Sequence, residues 1–186
     1  MRAYVRGLAL IAGLLSSCAA FASDAGERAY YTGDYSRAAA LLKRQAFAGR
    51  ATAQSILGYQ YQYGLGVPKS YKEAARWFAC AAEQGERSAQ FFLGLLYDRG
   101  LGVAEDPVEA EKWLDLAAAH APPDRLDYWQ TMRDTIAGKM TIDELKEAQR
   151  RAVAWSPSFV CLAASEVQSW HLPTHKYGHG EAYGER

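Results

Sequence analysis

The chain has no excess of charge of either sign: its 186 residues hold 21 basic and 21 acidic side chains. Domains built for polyanions concentrate cations, so no nucleic-acid partner is expected, and no anionic membrane surface either. Cysteine is scarce, with only Cys18, Cys80 and Cys161. No Cys-x-x-Cys is present, which removes the zinc ribbon and the thioredoxin-type redox centre. The signatures of common catalysis are missing too. There is no His-Glu-x-x-His, no phosphate loop ending in Lys-Ser/Thr and no Gly-x-Ser-x-Gly elbow. No catalytic residue and no cofactor is assigned on this basis, and the chain reads as a non-enzyme.

What is present begins with an export segment. Arg2 and Arg6 form a positive start, the stretch from Gly7 to Leu15 is apolar and uncharged, and Ala20-Phe21-Ala22 offers a small-x-small cleavage pattern. The apolar run is shorter than the roughly 20 residues that cross a bilayer. Cleavage after Ala22 would leave a periplasmic or secreted protein beginning at Ser23, with 19 basic and 21 acidic residues. Leu15-Ser16-Ser17-Cys18 also resembles a bacterial lipobox, and processing there would anchor the protein through a lipid on Cys18. Of the two cysteines that remain, Cys80 lies between Ala79 and Ala81 and reads as a small buried hydrophobe. Pairing with Cys161 in an oxidising compartment is the other reading.

The rest of the chain repeats. Displaced along itself so that Ala53 meets Ala89, it also matches Leu57 with Leu93, Gly58 with Gly94 and Tyr61 with Tyr97. At the same offset Gly64, Gly66 and Val67 meet Gly100, Gly102 and Val103, and Trp77 meets Trp113. A period of this size predicts stacked helical hairpins. Ala53, Leu57 and Tyr61 make a stripe on a first helix. Gly58 within that stripe costs up to about 1 kcal/mol of helix propensity, which implies a close approach by another backbone. Gly64 to Val67 ends the helix, because glycine accepts the left-handed conformation of a C-terminal cap. Ser70 with Glu73 and Asp106 with Glu109 predict capping boxes that open the second helices, and Pro107 takes a favoured first position. Upstream, Tyr35, Ala38, Leu42, Ala46 and Gly49 fit the second-helix frame, with Asp34 as cap. Downstream, helices are predicted from Asp124 to about Ala137 and, after a Thr141–Glu144 box, to about Trp155.

The pattern A-x-x-x-L-G-x-x-Y-x-x-G-x-G-V, then A-x-x-W and A-A, runs from Ala53 to Ala82 and again from Ala89 to Ala118. It resembles the Sel-1-like repeat, a relative of the tetratricopeptide repeat. The resemblance implies an all-α, right-handed solenoid of antiparallel helix pairs that assembles protein complexes, often in bacterial envelopes. The expected organisation is an export segment at 1–22, a half-repeat at 23–50 and two repeats at 51–121. Capping helices follow at 122–155, and an irregular tail at 156–186. A cysteine-rich subgroup of such proteins is linked to β-lactam binding and hydrolysis. This chain departs from that pattern, since the position equivalent to Cys80 in the next repeat is Leu116.

The expected partner is another protein of the cell envelope, held on the concave face by the first helices. Opposite the Ala53–Leu57–Tyr61 stripe the first repeat presents Ser55, Tyr59 and Gln62, and the second presents Phe91, Leu95 and Asp98. Tyr59, Phe91 and Leu95 there put apolar surface where a merely soluble helix would prefer charge. In the tail, His171, His175 and His179 recur every fourth residue, as metal ligands on a helix would. Pro173, Gly178 and Gly180 break any such helix, so a metal site is the lesser reading, and Phe159, Val160 and Leu162 are expected to fold back onto the last helix.

Overall fold

The computed structural model describes residues 25–158. The export segment, Cys18, Cys161, the three spaced histidines and Phe159 to Leu162 lie outside the described residues. Among the described residues there are eight helices and no strand. They are α1 (25–31), α2 (Tyr35–Phe47), α3 (Ala51–Tyr63), α4 (Tyr71–Glu83), α5 (Arg87–Asp98), α6 (Pro107–Ala119), α7 (Leu126–Ala137) and α8 (Ile142–Ala154). The boundaries follow the caps. Asp34, Ser70, Asp106 and Thr141 each accept a hydrogen bond from a first-turn backbone N–H. Only Thr141–Glu144 closes as a reciprocal box. Glu73 and Glu109 turn instead to cations one turn further on, Arg76 at 2.8 Å and Lys112 at 3.1 Å.

The two glycines inside helices are close-packing positions, but at Gly58 the neighbour is the Phe78 side chain and not the expected backbone, while Gly94 meets both the Leu114 side chain and the Ala110 carbonyl. A Cβ on Gly58 would sit 2.8 Å from Cδ1 of Phe78, and one on Gly94 would sit 2.8 Å from Cγ of Leu114. Each first helix therefore lies against its second helix with no room for a methyl group. Phe78 is wholly buried at this contact, a burial that contributes about 2–3 kcal/mol.

A second set of contacts joins one hairpin to the next. Gly66, with φ of 69°, places its turn directly on the Tyr35 carbonyl at the start of α2, and Gly102, with φ of 76°, sits likewise on Tyr71 at the start of α4. Two buried glutamines cross the same seams at their other end. The Gln54 side-chain amide donates to the Ala46 carbonyl at 2.9 Å, and that of Gln90 donates to the Ala82 carbonyl at 3.3 Å. Each gives a second donor to a helix-end carbonyl of the preceding unit, which also accepts from the Gly49 or Gly85 N–H. The core divides accordingly into three clusters along the array, around Leu42 and Leu57, around Phe78 and Leu93, and around Leu114 and Trp129.

The last two helices both pack on α6. Ala110, Leu114 and Ala117 of α6 share a buried cluster with Trp129 and Ile136 of α7. Another face of α6 meets α8, where Arg151 pairs with Glu109 at 2.8 Å and Trp155 lies edge-on to Trp113 at 6.2 Å. Beyond α8 the described residues run beside α4. Trp155 Nε1 donates to the Glu83 carboxylate at 3.2 Å and the Ser158 N–H donates to the Glu83 carbonyl at 2.7 Å. Three residues before Glu83, Cys80 is disulfide-bonded, which replaces the reading of it as a buried thiol. Its partner lies outside the described residues.

Candidate functional site

The first helices carry a connected series of aromatic rings. Tyr31 lies 5.3 Å from Tyr30, Tyr30 lies 6.2 Å from Tyr59, and Tyr59 lies 5.4 Å from Phe92. Phe92 meets Phe91 at 5.6 Å, and Phe91 stacks on Trp129 at 4.9 Å with the ring planes 11° apart. The series thus runs across α1, α3, α5 and α7, on the faces that stacking leaves in register. Edge-on and offset arrangements dominate it, as the ring quadrupole favours. Burial raises the Tyr30 hydroxyl to about 12, with the neighbouring tyrosines adding to the effect. Burial and the Tyr63 hydroxyl raise Tyr59 as well, so both keep their protons and remain hydrogen-bond donors.

Beside this series opens a groove of about 390 Å³, between the end of α3, the length of α5 and the start of α7. Half-buried Phe92 and Leu95 form its floor, backed by Phe91 and Trp129, which are each only 2% exposed, while Tyr63 and Tyr128 stand at its walls with about half of their surface in solvent. Lys69, Arg99 and Arg125 also line it, and the lining holds no carboxylate. The Lys69 ammonium lies 4.8 Å from the Tyr71 ring centre, so its position is held by a cation–π contact.

Of the residues expected on the partner face, Gln62 and Leu95 line the groove and are half-buried, as is Tyr59 behind it. Ser55 and Phe91 are corrected. Ser55 is only 8% exposed and Phe91 only 2%, so neither offers a free surface. A first helix in a stacked array is packed by α2, α4 and its neighbour α5 together, which buries more than one stripe, and Trp129 of α7 covers Phe91. Phe91 still shapes the groove by supporting Phe92 from beneath. Asp98 is paired with Lys139 at 3.5 Å and does not line the groove. Sequence reasoning missed Lys69, Arg99, Arg125 and Tyr128. They sit in turns or at helix ends, where helical periodicity says nothing.

A separate polar cluster lies between α6 and α7. Glu111 is almost fully buried, its Oε2 has no hydrogen-bond partner, and it faces Asp115 on its own helix and Arg133 and Asp134 on α7. Arg133 binds Asp134 at 2.7 Å and reaches Asp115 only at 3.9 Å. Burial first, and Asp115 second, push the Glu111 carboxyl up to about 7, against a smaller opposing pull from Arg133. Among the described residues no cluster of histidine, cysteine and carboxylate side chains could hold a metal ion, and no helix is long and apolar enough to cross a membrane.

The Sel1 repeat family model matches residues 51–86 and 87–121. Among solved structures, the chain is similar to a protective antigen of uropathogenic Escherichia coli displaying an SLR fold. That likeness has a TM-score of 0.66 at 27% identity, over 86% of this chain and 34% of the antigen. It is also similar to a Sel1 repeat protein from Oxalobacter formigenes, with a TM-score of 0.54 at 31% identity, over 69% of this chain and 54% of the other. The chain therefore spans about a third of the length of the first and about half of the second. No protein of curated function matches it. Matched repeats, interlocked hairpins and these structural neighbours agree: the chain is a Sel1 repeat protein with an all-helical solenoid fold, of the kind that typically mediates protein–protein interaction.

Proposed function

We propose that the chain is an exported, non-catalytic scaffold or regulator of the bacterial cell envelope that seats a segment of a partner protein in the groove across α3, α5 and α7. The observation that carries this reading is the aromatic floor with exposed Tyr63 and Tyr128 at its walls. Tyrosine and tryptophan supply much contact area at low entropic cost and dominate binding hot spots. Export is supported by the basic, apolar and small-residue order of positions 2–22. A disulfide at Cys80 suits an oxidising compartment as well.

The test is site-specific photocrosslinking in intact cells. A benzophenone side chain at Leu95 is expected to trap one discrete partner, whereas the same group at Ala40, exposed on α2, traps none. Identical adducts at both positions, or none at Leu95, would remove the groove from consideration. Intact-mass analysis of the processed chain is expected to show Ser23 at its start. A diacylated or triacylated Cys18 would replace the free form with a membrane-anchored one.

A further inference from the structure

We infer that the groove takes an extended acidic peptide, its carboxylates meeting Lys69, Arg99 and Arg125 and its apolar side chains lying on Phe92 and Leu95. This rests on the protein-binding reading and names the chemistry of the partner. The chain as a whole is electrically balanced, yet the groove lining has three cations and no carboxylate. Elsewhere, lining up an acid opposite a base is this protein's habit, as in Arg76–Glu73, Lys139–Asp98 and Arg151–Glu109. Lys69 and Arg99 have no acidic partner among the described residues, and Arg125 has only the neighbouring Asp124 at 3.7 Å.

An arginine fork binds a carboxylate with two parallel hydrogen bonds, and such charge-assisted bonds are about twice as strong as neutral ones. Lys69 is already positioned by the Tyr71 ring, so less freedom is lost when an anion arrives. The apolar part of the lining that solvent reaches is Phe92 and Leu95, held in place by the stacked Phe91–Trp129 pair beneath. A groove of about 390 Å³ admits a few side chains, not a folded domain. Carboxylates at the rim with apolar residues between them satisfy both parts, and an extended strand, whose side chains alternate, presents that pattern.

The probe is a fluorescein-labelled decapeptide of alternating Glu and Leu, titrated with the full chain and followed by anisotropy. Its controls replace Glu by Gln or by Lys. The acidic peptide is expected to bind at least about tenfold tighter than either control, and to weaken as salt rises through the physiological range. Arg99→Glu is expected to weaken it at least about tenfold, and Arg37→Glu, on exposed α2, to leave it unchanged. Unaltered circular dichroism in both variants verifies folding.

Equal binding of the Gln and Glu peptides, both lost in Leu95→Glu, would keep the groove and overturn its acidic preference. Failure of all three peptides to bind would overturn the preference as well, and the crosslink at Leu95 then decides the groove by itself. Tighter binding of a ten-residue oligothymidylate would overturn a peptide occupant. So would dimerisation that Arg99→Glu abolishes, or peptide binding that tightens when the chain is cut after Ser158. These results would assign the groove to a second copy or to the chain's own end.

Discussion

Replacing Glu111 by Gln should make the protein more stable above neutral pH and nearly unchanged below pH 4.5. The unfolded chain releases the Glu111 proton near 4.5, and the folded protein holds it up to about 7. Folding therefore favours the protonated acid. The stability associated with that proton is complete below 4.5, falls as pH rises through this window, and is gone above about 7. At 1.36 kcal/mol per pH unit the full span corresponds to about 3 kcal/mol. Movement of the partly exposed Arg133 toward the ionised carboxylate reduces the expected effect to about 1–2 kcal/mol. Glutamine has the same shape and no proton to lose. Urea unfolding of both proteins at half-unit steps from pH 4.5 to 8.5, with the disulfide kept oxidised, measures the difference directly. The curves should diverge from pH 5 and run parallel above about 7.5, the Gln variant the more stable. Parallel curves throughout, or a wild type that gains on the variant as pH rises, would show that Glu111 ionises at little cost and that its orphan oxygen is solvated.

Gly58→Leu and Gly94→Leu should each lower stability by about 1–3 kcal/mol or more, through overlap with Phe78 and Leu114, and a thermal melt reads the loss. Gly102→Ala should cost at least about 2 kcal/mol in the same assay, since it combines a left-handed backbone with a methyl group driven into the Tyr71 carbonyl. Gln90→Leu should lose about 0.5–1.5 kcal/mol by removing a buried hydrogen bond to the Ala82 carbonyl, which keeps its bond from the Gly85 N–H, while Gln149→Leu, exposed on α8, should stay within about 0.5 kcal/mol. Non-reducing peptide mapping should find Cys80 joined to Cys161 and not to Cys18, because Ser158, three residues before Cys161, is already hydrogen-bonded beside α4.

Helices, caps and the close-packed glycines were legible because each rests on chemistry within one hairpin. Gly58 inside an apolar stripe announces a tight contact whatever the neighbour is. The groove was half legible. Tyr59, Gln62 and Leu95 follow from helical period, but the exposure of Ser55 and Phe91 depends on how many helices press on α3 and α5, which no period encodes. Lys69, Arg99 and Arg125 are far apart in sequence and converge only because three units stack. The fate of Cys80 was equally out of reach, since the return of the chain to Glu83 after α8 is a tertiary event. Gln54 and Gln90 were readable and went unread. They obey the same offset as the named repeat positions, but a polar identity between two helices does not announce itself as a seam.

Those glutamines make the array extensible. Each hairpin brings a donor for the helix end before it and leaves a carbonyl at its own end for the next donor, and each brings a turn glycine that fits the preceding helix start. A whole unit of Gly49-to-Gly85 length could thus be inserted between α4 and α5 with every junction contact regenerated. At the next position in the series stands Leu126, which has no amide to offer, and there the pattern stops. A duplication that moved this junction outward would lengthen the aromatic series by one helix each time.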